Sequence, residues 1–119
     1  MNENEVMING EVYVKKSTIE TSKETDKNYV IVRTTSAGVF AGYLQEKNGK
    51  EVVLSSARRL WYWEGAASLS QIAMSGVSKP DKCKFPEEMS LVTLTEAIEI
   101  IPCTKDGMES IKAVKIWKH

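Results

Sequence analysis

Histidine is almost missing from this sequence: one stands at His119, and cysteine appears only at Cys83 and Cys103. A Ser-His-Asp or Cys-His catalytic arrangement would have to recruit the last residue, where chains usually fray, so neither is expected. The same scarcity removes the His and Cys clusters that hold zinc and similar ions. The two cysteines show no metal-type spacing. In the reducing cytoplasm expected for this chain, both are read as structural thiols.

Net charge is lacking too, since 16 basic residues face 16 acidic ones. No global field would draw the chain onto double-stranded nucleic acid or an anionic membrane. The longest uncharged stretch, Gly65 to Ser78, is too short and too rich in Ser, Gly and Gln to cross a bilayer. Residues 1–27 show no basic start followed by an apolar run, so no signal peptide is expected. Neither a Walker loop nor GxGxxG occurs, and "TTSAG" lacks the lysine that a phosphate loop needs. Glu87-Glu88 lies in a loop beside Pro86, while Glu96 and Glu99 sit three apart in a predicted strand, on opposite sides. All four are read as solvated charges. These absences favour a binding protein without metal or cofactor over an enzyme.

What remains is an ordinary folding composition, with 42% apolar and 27% charged residues in 119. That suits one domain with a real core. Residues 1–27 are read as a polar appendage, with "EVYV" after the "ING" turn as a short edge strand and Ser17 to Asn28 as a linker or frayed helix. The domain proper spans 28–119. There "YVIVRTT", "VFAGYLQ" and "EVVLSS" carry β-branched and aromatic strand signals. "SAG" separates the first two, and Asn48-Gly49 is predicted to turn the second hairpin as type I′. The third strand is expected to continue through "RRLWYW". Alternation would place Leu60 and Tyr62 on one side and Arg59, Trp61 and Trp63 on the other.

A helix follows, expected from about Ala66 to Gly76 with Leu69, Ile72 and Ala73 as its apolar stripe. "VSKPDKCKFPEEM" reads as a loop, "SLVTLTEAIEIIP" as one strand, and the C-terminal segment as one or two helical turns before a short strand, "AVKIW". The fold class is therefore α+β: a small antiparallel, strongly bent sheet or SH3/Sm-like partial barrel with one or two short helices. Gly42 would permit the sharp bend in the second strand.

The chemistry-bearing feature is the block from Ala57 to Trp63. Arginine forks phosphate oxygens, and aromatic rings stack on planar ligands. Arg58, Arg59, Trp61 and Trp63, with Arg33 on a neighbouring strand, would stack a purine and hold its phosphate. Lys82 and Lys84, in a small basic loop, would flank that site. The same residues are equally read as core or subunit-interface groups with the arginines at the rim. The small residues of "SAG" and "EGAASLSQ" likewise fit either backbone donors for an anion or close helix–sheet packing. Three tryptophans in so small a chain also favour a homo-oligomer.

The blocks "YVIVRTTSAGVFAGYL", "ARRLWYWEGAASLSQIA", "KCKFP" and "TEAIEIIPCT" resemble a family of small, uncharacterised bacteriophage and prophage proteins. The resemblance spans roughly Asn28 to Trp117. It implies a compact phage accessory protein acting on host physiology or defence inside the infected bacterium. It brings no catalytic residues with it. Two functional classes follow as expectations: a sponge sequestering a nucleotide-type immune signal, or an adaptor docking on a host protein or single-stranded nucleic acid. An unrecognised nucleotide-degrading enzyme ranks third.

Overall fold

A computed structural model describes residues 28–118, together with Thr25 and two short strands near the N-terminus. Those strands, β1 (Glu5–Ile8) and β2 (Glu11–Val14), pair with each other as an antiparallel hairpin separate from the main sheet. The sequence had suggested a lone edge strand there. The expected linker over 17–28 falls mostly outside the described residues, as does His119.

The main sheet contains β3 (Tyr29–Thr34), β4 (Val39–Asn48), β5 (Glu51–Arg59), β6 (Met89–Leu94) and β7 (Ala97–Pro102). Their spatial order is β6-β5-β4-β3-β7, antiparallel throughout. The stretch expected as one strand is thus two, lying at opposite edges and joined only by Thr95 and Glu96. In a flat sheet those edges would stand about 19 Å apart. Three Cα steps reach about 11 Å at most. The sheet must therefore curl, and the Ala97 N–H reinforces this by donating to the Lys50 carbonyl at 3.0 Å. Among the described residues β6 and β7 do not pair with each other, so the barrel stays partial.

Curling explains why β3 is apolar without alternation. Tyr29 and Ile31 join Tyr43, Phe85, Met108 and Ile111 in one core cluster, while Val30 and Val32 join Phe40, Val52, Leu54 and Leu94 in another. Helices cover the first cluster; the sheet wraps around the second. The bend is built at irregular pairings of β4 with β5, where Ser56 takes a φ of 47°. Gly42 belongs to this bend as expected. A Cβ there would stand 3.0 Å from both the Ala57 Cα and the Ser55 carbonyl oxygen.

Helix α1 (Leu69–Ser75) starts three residues later than expected because Ser68 caps it, its hydroxyl accepting from the Gln71 N–H at 3.2 Å. Helix α2 (Lys105–Ala113) starts on Thr104, whose hydroxyl accepts from the Gly107 N–H at 3.0 Å. The Thr104 N–H donates to the Ala73 carbonyl at 2.9 Å and so ties α2 to α1. Pro80–Lys82 form a 3₁₀ turn within the loop. The expected final strand shrinks to one bridge, between Phe85 and Ile116.

The β4–β5 hairpin turns one residue later than the sequence suggested. Asn48 still pairs with Glu51, and the loop is Gly49-Lys50. Gly49 has a φ of +62° and Lys50 is not in the left-handed region, which is the φ pattern of type II′ rather than I′. Gly49→Val should cost about 1–2 kcal/mol, because a β-branched residue resists positive φ. Thermal unfolding followed by circular dichroism checks this, and an unchanged melting temperature would refute it.

Two core groups predict an alkaline weakness. Burial pushes the Cys103 thiol up from 9.0 to about 12, and burial also raises the Tyr29 phenol. Both are neutral when protonated, so the folded state holds these protons more tightly than the unfolded chain. The Cys103 contribution is complete below about pH 9 and is lost as pH rises toward about 12, while that of Tyr29 begins to fall only above its ordinary value of 10.0. Urea midpoints should therefore fall through the alkaline range, and Cys103→Ala should flatten the early part of that fall.

Candidate functional site

β5 ends at Arg59, where β4 runs out of partners: Arg59 faces Phe40, and the Leu60 N–H makes the last bond, 2.8 Å to the Val39 carbonyl. The chain then leaves the ladder. The expected strand through Trp63 survives only as a bridge between Tyr62 and Lys84. Against the departing segment lies the Ser36–Gly38 turn between β3 and β4. Between them opens a groove of about 440 Å³ lined by Ser36 to Val39, Arg59, Leu60, Trp61 and Trp63.

Alternation along β5 separates the two arginines. Arg58 is 4% exposed and faces the core. Its Nε donates to the Pro86 carbonyl at 2.9 Å, Nη1 to Ile111 at 2.8 Å and Nη2 to Phe85 at 3.0 Å. Burial lowers its pKa, and the carbonyl dipoles offset that cost. Arg58 is thus a structural clamp, which corrects its assignment as a ligand contact.

Arg59 lies in the groove. Its guanidinium rests 4.4 Å from the Phe40 ring centroid and donates through Nη1 to the Ala37 carbonyl. Ring and carbonyl fix its orientation on one side. Trp61 is 62% exposed, while Trp63 is partly buried against the helical core cluster. The groove therefore combines an oriented cation, one open indole and one anchored indole. Such a set suits a planar ring carrying negative charge.

The turn opposite is itself braced. The Thr35 N–H donates to the Glu96 carbonyl at 3.0 Å, and the Ser36 hydroxyl donates to the Glu96 carboxylate at 3.1 Å. Gly38 has a φ of +102°, and a Cβ there would stand 3.1 Å from Arg59 Nη1.

The other expected site residues lie elsewhere. Arg33 is spent on Glu99 across the β3–β7 ladder, Nε to Oε1 at 3.0 Å, and does not line the groove. Lys84 sits 5.5 Å from the Tyr62 ring and 5.6 Å from the Trp117 ring. Lys82 is exposed in the 3₁₀ turn. The seven-residue α1 begins beyond the Gly65–Ala67 segment, so the anticipated helix N-terminus adds nothing. Phe40 was missed, although counting the hairpin register back from Glu51 would have placed it opposite Arg59. Among the described residues no group of His, Cys, Asp or Glu is placed to hold a metal ion, and no helix is long and apolar enough to cross a membrane.

A bent five-stranded sheet with two helices and an Arg–Trp groove is thus the class of domain present. Residues 27–111 match the family described as Domain of unknown function (DUF6948), and the chain belongs to that family. The match includes both walls of the groove and ends at Ile111, whose carbonyl Arg58 holds. No curated protein and no solved structure matches the chain.

The two arginines should separate cleanly in unfolding experiments. Arg58→Ala removes three buried charge-assisted hydrogen bonds and should cost on the order of 3–5 kcal/mol. It leaves the Pro86 carbonyl without a donor, while Phe85 and Ile111 keep the Trp117 and Val114 N–H groups. Arg58→Lys should recover only part, since one ammonium cannot span the fork. Arg59→Ala should cost less, about 1–2 kcal/mol, losing the guanidinium that covers the buried Phe40 ring and one hydrogen bond. Equal losses at both positions would contradict the core-versus-groove assignment.

Proposed function

We propose that the protein is a non-catalytic binder that sequesters a nucleotide-type ligand in the Arg59–Trp61–Trp63 groove. The observation that carries this reading is the exposed Trp61 indole beside a guanidinium already oriented by Phe40 and Ala37. A base or second ring would stack on the indole, and a phosphate would accept the remaining arginine N–H groups. Resemblance to small phage proteins supports a host immune signal as ligand and the cytoplasm of an infected bacterium as the setting. A homo-oligomer is part of the same proposal.

A second reading, the adaptor, is favoured by further exposed apolar side chains outside the groove. Tyr62 is 44% and Ile116 is 50% exposed. A flat protein or single-stranded nucleic-acid partner would cover them along with Trp61.

Calorimetry with cyclic dinucleotides, cyclic trinucleotides and cyclic ADP-ribose isomers separates these readings. Binding to one of them is expected, with the ligand recovered intact after heating the complex. Arg59→Ala should weaken it about ten- to a hundred-fold, the loss of one desolvated charge-assisted contact. No heat with any of them leaves the adaptor, and recovery of cleaved ligand makes the protein an enzyme.

A further inference from the structure

Among the described residues both outer strands leave a row of backbone N–H and C=O groups without a ladder partner, but the two edges differ. β7 carries Glu99, held by Arg33, and ends on Pro102, which has no N–H to offer. Charge and proline are the usual devices that keep an edge from pairing with another chain. β6 has neither: Met-Ser-Leu-Val-Thr-Leu contains no charge, no proline and no glycine. It pairs with β5 on one side, and among the described residues no other backbone bond involves it. Leu91, midway along, is 44% exposed, while Val92 and Leu94 pack on the enclosed core cluster.

We infer that β6 is the contact between two copies of this chain, the strands running antiparallel across a twofold axis so that two sheets continue into one. A twofold contact needs a patch complementary to itself. Met89–Leu94 meets that condition because no charge within it can oppose its own copy. β7 does not, since it carries Glu99 and ends on Pro102. Six residues from each copy bury less than a standard interface, so dissociation in the micromolar range is expected. The pairing also reaches the groove: β6 runs straight into Glu96, which holds Thr35 and Ser36 of the groove wall. It does not depend on whether the groove takes a ligand.

Light scattering of the purified full chain should give twice 13.3 kDa at high micromolar concentration, falling toward 13.3 kDa on dilution. Leu91→Lys sets like charges beside each other at the axis. It should remain monomeric where the parent is dimeric, with an unchanged circular dichroism spectrum. Hydrogen exchange needs no variant and decides the matter if that one misfolds: amides of 89–94 should exchange slowly when concentrated and faster when dilute. A monomer at every concentration overturns the inference. So does a dimer that Leu91→Lys leaves intact, or one whose 89–94 amides exchange alike at both concentrations.

Discussion

A buried guanidinium held by three backbone carbonyls ties this domain together. Arg58 joins three segments far apart in sequence: β5, the Phe85–Pro86 loop and the last turn of α2. Three carbonyl oxygens disperse its charge. The one from Ile111 lies at the negative end of a helix dipole, which adds to their effect. The Phe85 ring, 5.6 Å away, closes over the remainder. Helix α2 gains an anchor at its C-terminus to match the Thr104 cap at its start, so both ends of its short span are fixed to other elements.

Because Arg58 is fixed inward, its neighbour must face outward. Two identical side chains thereby acquire opposite roles from one period-2 rule. The groove inherits its order from the core: Phe40, itself a core residue, receives Arg59 because the hairpin register sets them opposite. Trp63 is held by the helical core cluster, whereas Trp61 is left in water. The groove is therefore stiff on its arginine side and open on its indole side.

The meander was legible because local chemistry wrote it: β-branched runs, the Ser-Ala-Gly turn, and an Asn-Gly pair displaced by one residue. The division of residues 90–102 was not, since Thr95 and Glu96 contain neither Gly nor Pro. That break comes from a distant demand, two sheet edges that must be reached by one short link. The Arg–Trp block was legible as a local run of residue types, but its arginines could not be sorted from sequence. Alternation says that Arg58 and Arg59 face opposite ways without saying which side is the core. Arg33 failed because its partner, Glu99, lies 66 residues away. Lys84 was drawn to the rings of Tyr62 and Trp117 by a bridge that no periodicity announces.

The two-residue link also sets the order in which the chain can be completed during synthesis. β3 pairs with β4 as soon as a local hairpin forms, but its other edge waits for β7, with Val30 opposite Pro102 and Ile31 opposite Ile101. Until those residues leave the ribosome, an almost wholly apolar strand presents an open edge. Contacts of such sequence separation are slow to close. The nascent protein is therefore most vulnerable to wrong pairing after its first hairpins form and before its last strand arrives. Placing Thr95 and Glu96 directly after β6 shortens that interval, since the strand that finishes one edge of the sheet leads at once into the strand that finishes the other.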